Sequence, residues 1–252
     1  MEYEERLVCF ADLMGFKAAI DQSLEEPDVR QRLYEVIKSL GEGELESFVY
    51  GAIPIMEQGK LIPAREKLGD KAYETFHPKV GLEITQFSDS FVFSAPAQNF
   101  AACEMLIKSV CAMHLLFFMS LGMMIRGGIA VGKLIHTKNG PLFGPAMNMA
   151  YTLESKSAIY PRVVISKDAH KLLDTHLSGL SVGNIIKPGF DGHHSFDLID
   201  IFNWPMNSIR DKATINNQLL NIEQDILKNS PAAHPKISYL LNKWSLVESE
   251  YS

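Results

Sequence analysis

The stretch from Val8 to Lys17, VCFADLMGFK, contains the clearest structural signal in the N-terminal part of the chain. Its apolar run stops at Asp12, and the spacing after Gly15 becomes helical, which predicts a strand, a tight loop and a helix. Gly15 lets the backbone turn closely at a helix start, where free amides and the helix dipole attract a phosphate. By itself this junction is a weak signal, but it places an anion site beside a carboxylate at a strand tip.

A second aspartate, Asp89, separates two apolar runs, 82–87 and 91–94, in the stretch ITQFSDSFVFS. This pattern predicts a β-hairpin with a polar tip. If the hairpin neighbours the first strand, Asp12 and Asp89 converge at one sheet edge, where carboxylate oxygens suit Mg²⁺ or Mn²⁺ completed by phosphate oxygens. Each residue also has an ordinary interpretation: Asp12 caps the following helix, and Asp89 is a common hairpin-tip residue.

A third block consists of MIRGGIAVGKL, 124–134, and GPLFGPAMNMAYTLES, 140–155. Arg126 lies inside a predicted strand beside paired glycines, which is unusual for a guanidinium unless it pairs with an acid or reaches an anion. Asn148 lies within a predicted helix on an apolar and small face, although Asn is a mediocre helix former. It is either a functional group or a satisfied buried amide.

The rest of the chain mixes helical and strand patterns. Helices are predicted at 28–40, 100–121, 143–156 and 167–175, and strands at 123–131, after 132, and at 162–166, 185–187 and 196–201. This order predicts an α+β fold of ferredoxin-like character, with helices packed on a mixed, antiparallel-rich sheet. The irregular segment 41–80 reads as an excursion from the core, and two polar helices after 204 form a C-terminal extension. We therefore divide the chain into a domain 1–204 and a helical extension 205–252.

Composition excludes several classes of function. The 252 residues carry a net charge of -6, so no general basic field exists to hold a nucleic acid or an anionic membrane. Three cysteines without CxxC spacing indicate reduced thiols. The N-terminus lacks a signal-peptide pattern, and the apolar run 110–125 is interrupted by polar residues such as His114, which we expect to be a core histidine. We expect a cytoplasmic protein without a membrane span.

Together, the three blocks resemble the class III nucleotidyl cyclase family. FADLMGFK is similar to the family's first-strand metal motif with its phosphate turn, and QFSDSFVFS is similar to its second metal hairpin. IRGGIAVG and FGPAMNMAYTLES are similar to the strand and helix that complete the site. The resemblance covers roughly 8–201. It implies a homodimer in which two composite sites form across a head-to-tail interface.

The resemblance also implies a role for individual residues. Asp12, Asp89 and the backbone carbonyl of Leu13 would bind two divalent ions, Mn²⁺ or Mg²⁺, and Asn148 would be the catalytic residue that orients the ribose. The implied substrate-binding positions are Phe10, Gly15, Phe16, Thr85, Arg126 and, from the partner subunit, Lys187.

Three positions depart from the family pattern. Purine cyclases select the base with a lysine and an acidic residue where this chain has Thr85 and Pro141. The helix normally carries a transition-state arginine where this chain has Thr152. Either another cation replaces that arginine or the enzyme manages without it. The candidate cations are Arg65, Lys156 and Arg162.

A compact catalytic domain with altered base readers is similar to the bacterial Pycsar anti-phage cyclases, which make cyclic pyrimidine nucleotides. This implies conversion of UTP, ahead of CTP, into cyclic UMP or cyclic CMP as a signal for a separate cyclic-nucleotide-binding effector. Tyr50 is the candidate contact for the base, with ordinary aromatic packing as the alternative. An atypical purine cyclase and a degenerate nucleotide-binding domain remain the other interpretations.

Overall fold

The computed structural model describes residues 2–39, 50–51, 54–57, 59–138, 140–177, 181–203 and 212–249. The strands are β1 (Glu4–Met14), β2 (Pro54–Glu57), β3 (Lys60–Pro63), β4 (Glu83–Phe87), β5 (Ser90–Pro96), β6 (Met124–His136), β7 (Leu142–Phe143), β8 (Arg162–Ile165), β9 (Lys187–Pro188) and β10 (His194–Asp197). The helices are α1 (Phe16–Glu25), α2 (Pro27–Ser39), α3 (Ala64–Leu68), α4 (Lys71–Val80), α5 (Phe100–Leu121), α6 (Pro145–Ser157), α7 (Lys167–Leu177), α8 (Leu198–Phe202), α9 (Lys212–Asn229) and α10 (His234–Ser249). Short 3-10 turns cover Ser181–Ile185 and Pro231–Ala233.

One eight-stranded sheet organises the molecule, with the strand order β4-β5-β1-β6-β8-β10-β9 and with β7 paired to β6. The pairs are antiparallel except for β6 and β8, which run parallel. Strands β2 and β3 form a separate hairpin within the excursion at 41–80. The predicted α+β class, with a mixed and mostly antiparallel sheet and packed helices, is confirmed.

The alternation of β1 assigns its residues to two faces of the sheet, as expected for a strand covered on both sides. Leu7, Cys9 and Ala11 belong to the main core, which includes much of α5. Val8 and Phe10 pack in a second core with the small residues of α6. Since side chains alternate, Asp12 lies on the same face as Phe10, beneath α6.

A close contact between α6 and β6 depends on Gly128. A Cβ at this position would lie 2.2 Å from the carbonyl oxygen of Ala150 and 2.8 Å from the amide nitrogen of Glu154. These distances are far shorter than normal contacts, so the helix can approach the strand only because the side chain is absent. This approach brings the carboxylate of Glu154 down to the sheet.

Helix α5 is long and apolar enough, by length and composition, to span a membrane. In the structure 67% of its apolar window is buried, which is the behaviour of a core helix. His114, within α5, is fully buried and its Nε2 accepts a hydrogen bond from the amide of Ile125 at 3.2 Å. The three cysteines are buried and form no disulfide.

The C-terminal helices form a third core together with α8. Its main members are Ile215 and Leu219 of α9 and Ile237, Leu240 and Trp244 of α10. The proposed boundary at 204–205 falls within 204–211, outside the described residues.

Two late strands are predicted incorrectly. The predicted strand at 196–201 ends at Asp197, because the side chain of Asp197 accepts from the amides of Ile199 and Asp200 and starts α8 instead. Reciprocally, Asp200 accepts from the amide of Asp197 and completes a capping box. The predicted strand at 185–187 is a 3-10 turn followed by the two residues of β9.

Candidate metal and nucleotide site

The tip of β1 lies beside the tip of the β4–β5 hairpin. Asp12 pairs with Ser90 of β5 on one side and with Arg126 of β6 on the other. The amide of Leu13 donates to the carbonyl oxygen of Asp89 at 3.0 Å. The hairpin is therefore a neighbour of the first strand, as the predicted convergence of the two aspartates requires. Both aspartates lie at one end of the sheet.

The carboxylate of Asp12 is only partly satisfied by protein donors. Ser90 Oγ donates to its Oδ1 at 3.3 Å, and Arg126 donates to its Oδ2 from Nε and Nη2, both at 3.2 Å. The side chain is 20% exposed. Asp12 does not cap α1, because the N-cap residue is Gly15 and no side-chain hydrogen bond caps this helix. The helix-cap interpretation of Asp12 is thereby excluded.

The turn after β1 leaves the start of α1 open to a ligand. Gly15 has φ 94°, in the left-handed region, where a side chain would be strained. Apart from Gly15 itself and its two neighbours in the chain, no atom lies within 4 Å of where its Cβ would stand. Since the first amides of a helix have no partner within that helix, the unoccupied space beside Gly15 and Phe16 suits a phosphate.

A second carboxylate, Glu154, also reaches Arg126 and was missed by the sequence analysis. Glu154 Oε1 lies 2.7 Å from Arg126 Nε, and the side chain is 3% exposed. The contact is an ion pair without good hydrogen-bond alignment, since Oε1 has no hydrogen-bond donor among the residues that the structure describes. Burial raises the pKa of Glu154, Arg126 opposes that rise, and Asp12 adds to it.

The sequence does contain a signal for Glu154. Residues 146, 150 and 154 are spaced by four and therefore share one face of α6. Ala146 and Ala150 are fully buried on that face. An acidic residue continuing a buried small-residue face is expected to have a cationic partner below it.

Asn148 and Thr152 lie on the exposed side of α6. Thr152 Oγ1 donates to the carbonyl oxygen of Asn148 at 2.7 Å, so its hydroxyl is engaged within the helix. The buried-amide interpretation of Asn148 is excluded by its exposure. Nearby, Tyr151 is 54% exposed and makes an edge-to-face contact with Phe10, with ring centroids 5.4 Å apart.

The position of Tyr50 contradicts its predicted contact with the base. The side chain has no exposed surface, and its hydroxyl accepts from the amide of Leu82 at 3.1 Å and donates to the carbonyl oxygen of Leu82 at 3.2 Å. Its ring contacts Tyr73 and His77. Tyr50 is therefore a packing residue, the alternative interpretation.

The three residues predicted to replace the missing arginine of α6 differ in how exposed their side chains are. Arg162 is 1% exposed, forms an ion pair with Asp191 and lies over the ring of Phe190, so it does not replace that arginine. Lys156 and Arg65 are exposed. Lys187 is exposed on β9, four strands from β1 in the same sheet. Within one chain it does not join the site, and its predicted role as a partner-subunit residue stays a prediction.

The donor set at the tip of β1 fits a divalent cation. Asp12 and Glu154 bring two carboxylates to one guanidinium, and Asp89 lies at the tip of the neighbouring hairpin. Between residues 2 and 249, as far as they are described, no three acidic, histidine or cysteine side chains are close enough to form a complete metal site. Two carboxylates with a backbone carbonyl would supply part of the oxygen coordination of a hard ion such as Mg²⁺, which commonly keeps further positions for substrate oxygens.

Comparisons with known proteins give similar structures of low identity. No family model matches the sequence, and no curated protein matches it. The adenylyl cyclase CyaB from P. aeruginosa is 15% identical, with 77% of this chain and 92% of that chain covered and a TM-score of 0.46. The monomeric guanylyl cyclase domain of the RhoGC fusion protein from the aquatic fungus Blastocladiella emersonii is 14% identical, with 79% and 96% covered and a TM-score of 0.44.

A third similar structure is the guanylyl cyclase Cya2, at 18% identity, with 78% of this chain and 93% of that chain covered and a TM-score of 0.40. These values are too low to carry an argument about function, which depends on the residues of this chain.

Proposed function

We propose that the chain is a nucleotidyl cyclase that converts a pyrimidine nucleoside triphosphate, UTP ahead of CTP, into the 3′,5′-cyclic mononucleotide and pyrophosphate. The observation that carries this proposal is the placement of two incompletely satisfied carboxylates, Asp12 and Asp89, at one strand end beside the uncapped start of α1. No hydrogen bond to the Asp89 side chain is found in the described part of the chain. Carboxylates beside an anion site are what a metal-bound triphosphate requires.

The reaction forms a bond between the ribose O3′ and the α-phosphorus and breaks the bond between that phosphorus and the pyrophosphate oxygen. The proton of the 3′-hydroxyl is lost to solvent or to a phosphate oxygen. When bound, divalent ions lower the pKa of the 3′-hydroxyl and neutralise the leaving pyrophosphate. Asp12, Asp89 and the Leu13 carbonyl would hold these ions.

The remaining residues of the site would bind and orient the substrate. The amides at Gly15 and Phe16 would hold phosphate oxygens, and Arg126 would supply the positive charge beside them. Asn148 would orient the ribose of a substrate bound to the partner subunit, so that O3′ lies in line with the leaving group. Phe10 supports Tyr151 below this surface.

A homodimer with composite sites is supported by the exposed face of α6. Met149 is 42% exposed, Tyr151 is 54% exposed and, just before the helix, Phe143 is 47% exposed. Large apolar side chains beside a polar functional residue are typical of a surface that a second subunit covers. Lys187 of the partner would then approach the phosphates.

A pyrimidine is favoured because the two base-reading positions lack purine-type groups. Thr85 offers a neutral hydroxyl and Pro141 offers no side-chain hydrogen-bonding group. By resemblance, the product would act as a second messenger in anti-phage defence and would bind a separate effector. We also propose that the catalytic domain comprises residues 1–204 and that residues 205–252 form a helical extension.

A second candidate function, a domain that binds a nucleotide without turnover, is favoured by one observation. Arg126 is paired to Asp12, and α6 has Thr152 in place of an arginine, so the site has little free positive charge for a transition state. In this case the nucleotide would bind and remain intact.

The test is a competition among nucleotides. The full-length protein is incubated with Mn²⁺ and equal amounts of UTP, CTP, ATP and GTP, and products are identified by mass spectrometry. We expect cyclic UMP, with loss of product in Asp12→Asn and Asp89→Asn and normal turnover in Asp225→Asn, an exposed residue of α9. If cyclic CMP or a cyclic purine nucleotide is the main product, the proposed substrate is wrong. Nucleotide binding without any product would support the second function.

A further inference from the structure

A chain of polar contacts runs from Arg6 to Thr85. Arg6 Nε donates to Ser94 Oγ at 2.9 Å, and Ser94 Oγ lies 2.8 Å from His136 Nδ1. On the other side of the ring, His136 Nε2 lies 2.8 Å from Thr85 Oγ1. Arg6, Ser94 and His136 are buried, whereas Thr85, the last residue in this series of contacts, is half-buried.

The direction of these hydrogen bonds follows from the first member. A guanidinium has donors only, so Ser94 Oγ must accept from Arg6. Arg6 is held in place by further bonds from Nη2 to the carbonyl oxygens of Gly81 at 2.6 Å and Ser94 at 3.0 Å. The one proton of the Ser94 hydroxyl is then available to His136 Nδ1.

Since Ser94 donates to Nδ1, the neutral His136 ring carries its proton on Nε2, and the tautomer with the proton on Nδ1 is disfavoured. With a proton on Nδ1, the fully buried Ser94 hydroxyl would accept twice, and its own proton would have no acceptor among the residues described. The doubly protonated ring is also disfavoured, since burial and then the charge of Arg6 lower the pKa of His136 to about 4. His136 is therefore neutral at pH 7, with its proton on Nε2.

Thr85 must then accept from His136, which leaves the hydroxyl proton of Thr85 for another partner. No second hydrogen bond of Thr85 is found in the regions that the structure describes. Thr85 pairs with Val92, and Val92 pairs with Phe10, so these three side chains share the face of the sheet that carries Asp12. From strand and residue spacings, the Cα atoms of Thr85 and Asp12 are about 12 Å apart.

We propose that Arg6, Ser94 and His136 are positioning residues that fix the Thr85 hydroxyl as an outward hydrogen-bond donor, which selects a pyrimidine with a keto oxygen at C4 over one with an amino group at C4. The keto oxygen at C4 of uracil accepts this proton, whereas the amino group at C4 of cytosine does not. The inference rests on the proposed function, because it assumes a pyrimidine nucleoside triphosphate bound at Asp12 and Asp89.

The direction of the hydrogen bonds from Arg6 to Thr85 is tested first, without any ligand. Nitrogen-15 NMR of the histidine rings, with the His136 signals assigned through His136→Gln, reports which ring nitrogen carries the proton at pH 7. We expect the proton on Nε2 in the wild type and a shift toward Nδ1 in Ser94→Ala. A proton on Nδ1 in the wild type would overturn the proposal, whether or not the Ser94→Ala variant folds.

Base selection is tested by binding, so that turnover is not required. Calorimetry with Mn²⁺ compares the α,β-methylene analogues of UTP and CTP, which cannot be cyclised. We expect the UTP analogue to bind about five- to tenfold more tightly, the value of one hydrogen bond. Thr85→Val should bring this ratio close to one, and Thr85→Ser should restore it. Thr175→Val, which removes an exposed hydroxyl bonded within α7, is the matched control and should leave the ratio unchanged.

The outcomes separate this inference from the proposed function. Equal binding of both analogues, binding of neither, or an unchanged ratio in Thr85→Val would overturn the inference even if the enzyme makes a cyclic nucleotide. A preserved preference that disappears in Thr85→Val, together with no turnover of UTP, would instead uphold the inference and reject the cyclase activity.

Discussion

Within the described residues, two places hold a pair of carboxylates around one cation, and they differ in how many other donors satisfy those carboxylates. At the C-terminal end, Asp197 and Asp200 share Lys243. At the tip of β1, Asp12 and Glu154 share Arg126. The sign and number of charges are the same, so the difference lies in geometry and hydrogen bonding.

The C-terminal group is closed. Lys243 Nζ lies 2.7 Å from Asp197 Oδ2 and 2.6 Å from Asp200 Oδ2, and the hydroxyl of Tyr239 donates to Asp197 at 2.9 Å. The amide of Ile199 also donates to Asp197, whose side chain is 1% exposed. This group attaches α10 to α8 and has little capacity for another ligand.

The group at β1 is open. Asp12 has one hydroxyl and one guanidinium as its side-chain donors within the described chain, and the Glu154 oxygen nearest Arg126 has no aligned donor. Carboxylates with unused acceptor capacity are suited to bind a cation, whereas saturated carboxylates stabilise the fold. We therefore propose that the carboxylates at β1 bind a cation, whereas those at the C-terminal end stabilise the fold.

The largest expected effect is on turnover at the open group. Asp12→Asn removes a charged metal ligand, and since metal catalysis contributes several kcal/mol, kcat should fall by at least about 10³-fold. Steady-state assays of pyrophosphate release measure this loss. Asp197→Asn should retain turnover in the fraction of protein that remains folded. Comparable loss of activity per folded molecule in both variants would break the distinction between the two groups.

At the closed group, the expected effect is on stability. Asp197→Ala leaves Lys243 and Tyr239 without their shared acceptor and removes the cap of α8, so the free energy of unfolding should fall by about 3–5 kcal/mol. Urea denaturation measures this change. Asp225→Ala, an exposed acid of α9, should change it by less than about 0.5 kcal/mol. A small effect of Asp197→Ala would show that the C-terminal helices are held mainly by their apolar core.

A pH series extends the comparison to His136, which lies outside both groups. Its pKa is lowered to about 4 in the folded protein, against an ordinary value of 6.5. The unfolded chain therefore binds more protons between these values, and stability falls as pH drops through that range. Between pH 7 and pH 5, the wild type should lose about 2 kcal/mol more than His136→Gln in urea denaturation. Parallel pH profiles would contradict a neutral, buried His136.

The smallest of these effects concerns metal affinity at the open group. Glu154→Gln leaves Arg126 to pair with Asp12 alone and removes a nearby negative charge, so Mn²⁺ should bind about tenfold more weakly, equivalent to about 1.4 kcal/mol. Electron paramagnetic resonance of free Mn²⁺ measures this without turnover. Glu5→Gln, at the other end of β1, serves as the control. Unchanged Mn²⁺ affinity in Glu154→Gln would mean that Glu154 acts only in packing.

Local patterns account for most of what the sequence predicts. The long core helix α5 begins and ends as its spacing predicts, whereas β1 continues to Met14, two residues beyond the strand end predicted at Asp12. The adjacency of Asp12 and Asp89 needs one further condition, that two strands be neighbours, which the antiparallel pairing supplies.

The errors arise where the deciding contact is distant in sequence or where a cap competes with a strand. Tyr50 is buried through hydrogen bonds to Leu82, which no local pattern reveals. Glu154 reaches Arg126 because Gly128 lets a helix approach another element. The strand predicted beyond Asp197 fails because the Asp-x-x-Asp capping box starts a helix at that point.

Phosphorus-31 NMR of the protein with UTP and Mg²⁺ shows whether Asp12 and Asp89 support cyclisation. The proposal predicts that one pyrophosphate and one cyclic phosphodiester appear for each UTP consumed, and that both signals are absent with Asp89→Asn. Release of orthophosphate, or equal product from wild type and Asp89→Asn, would contradict it.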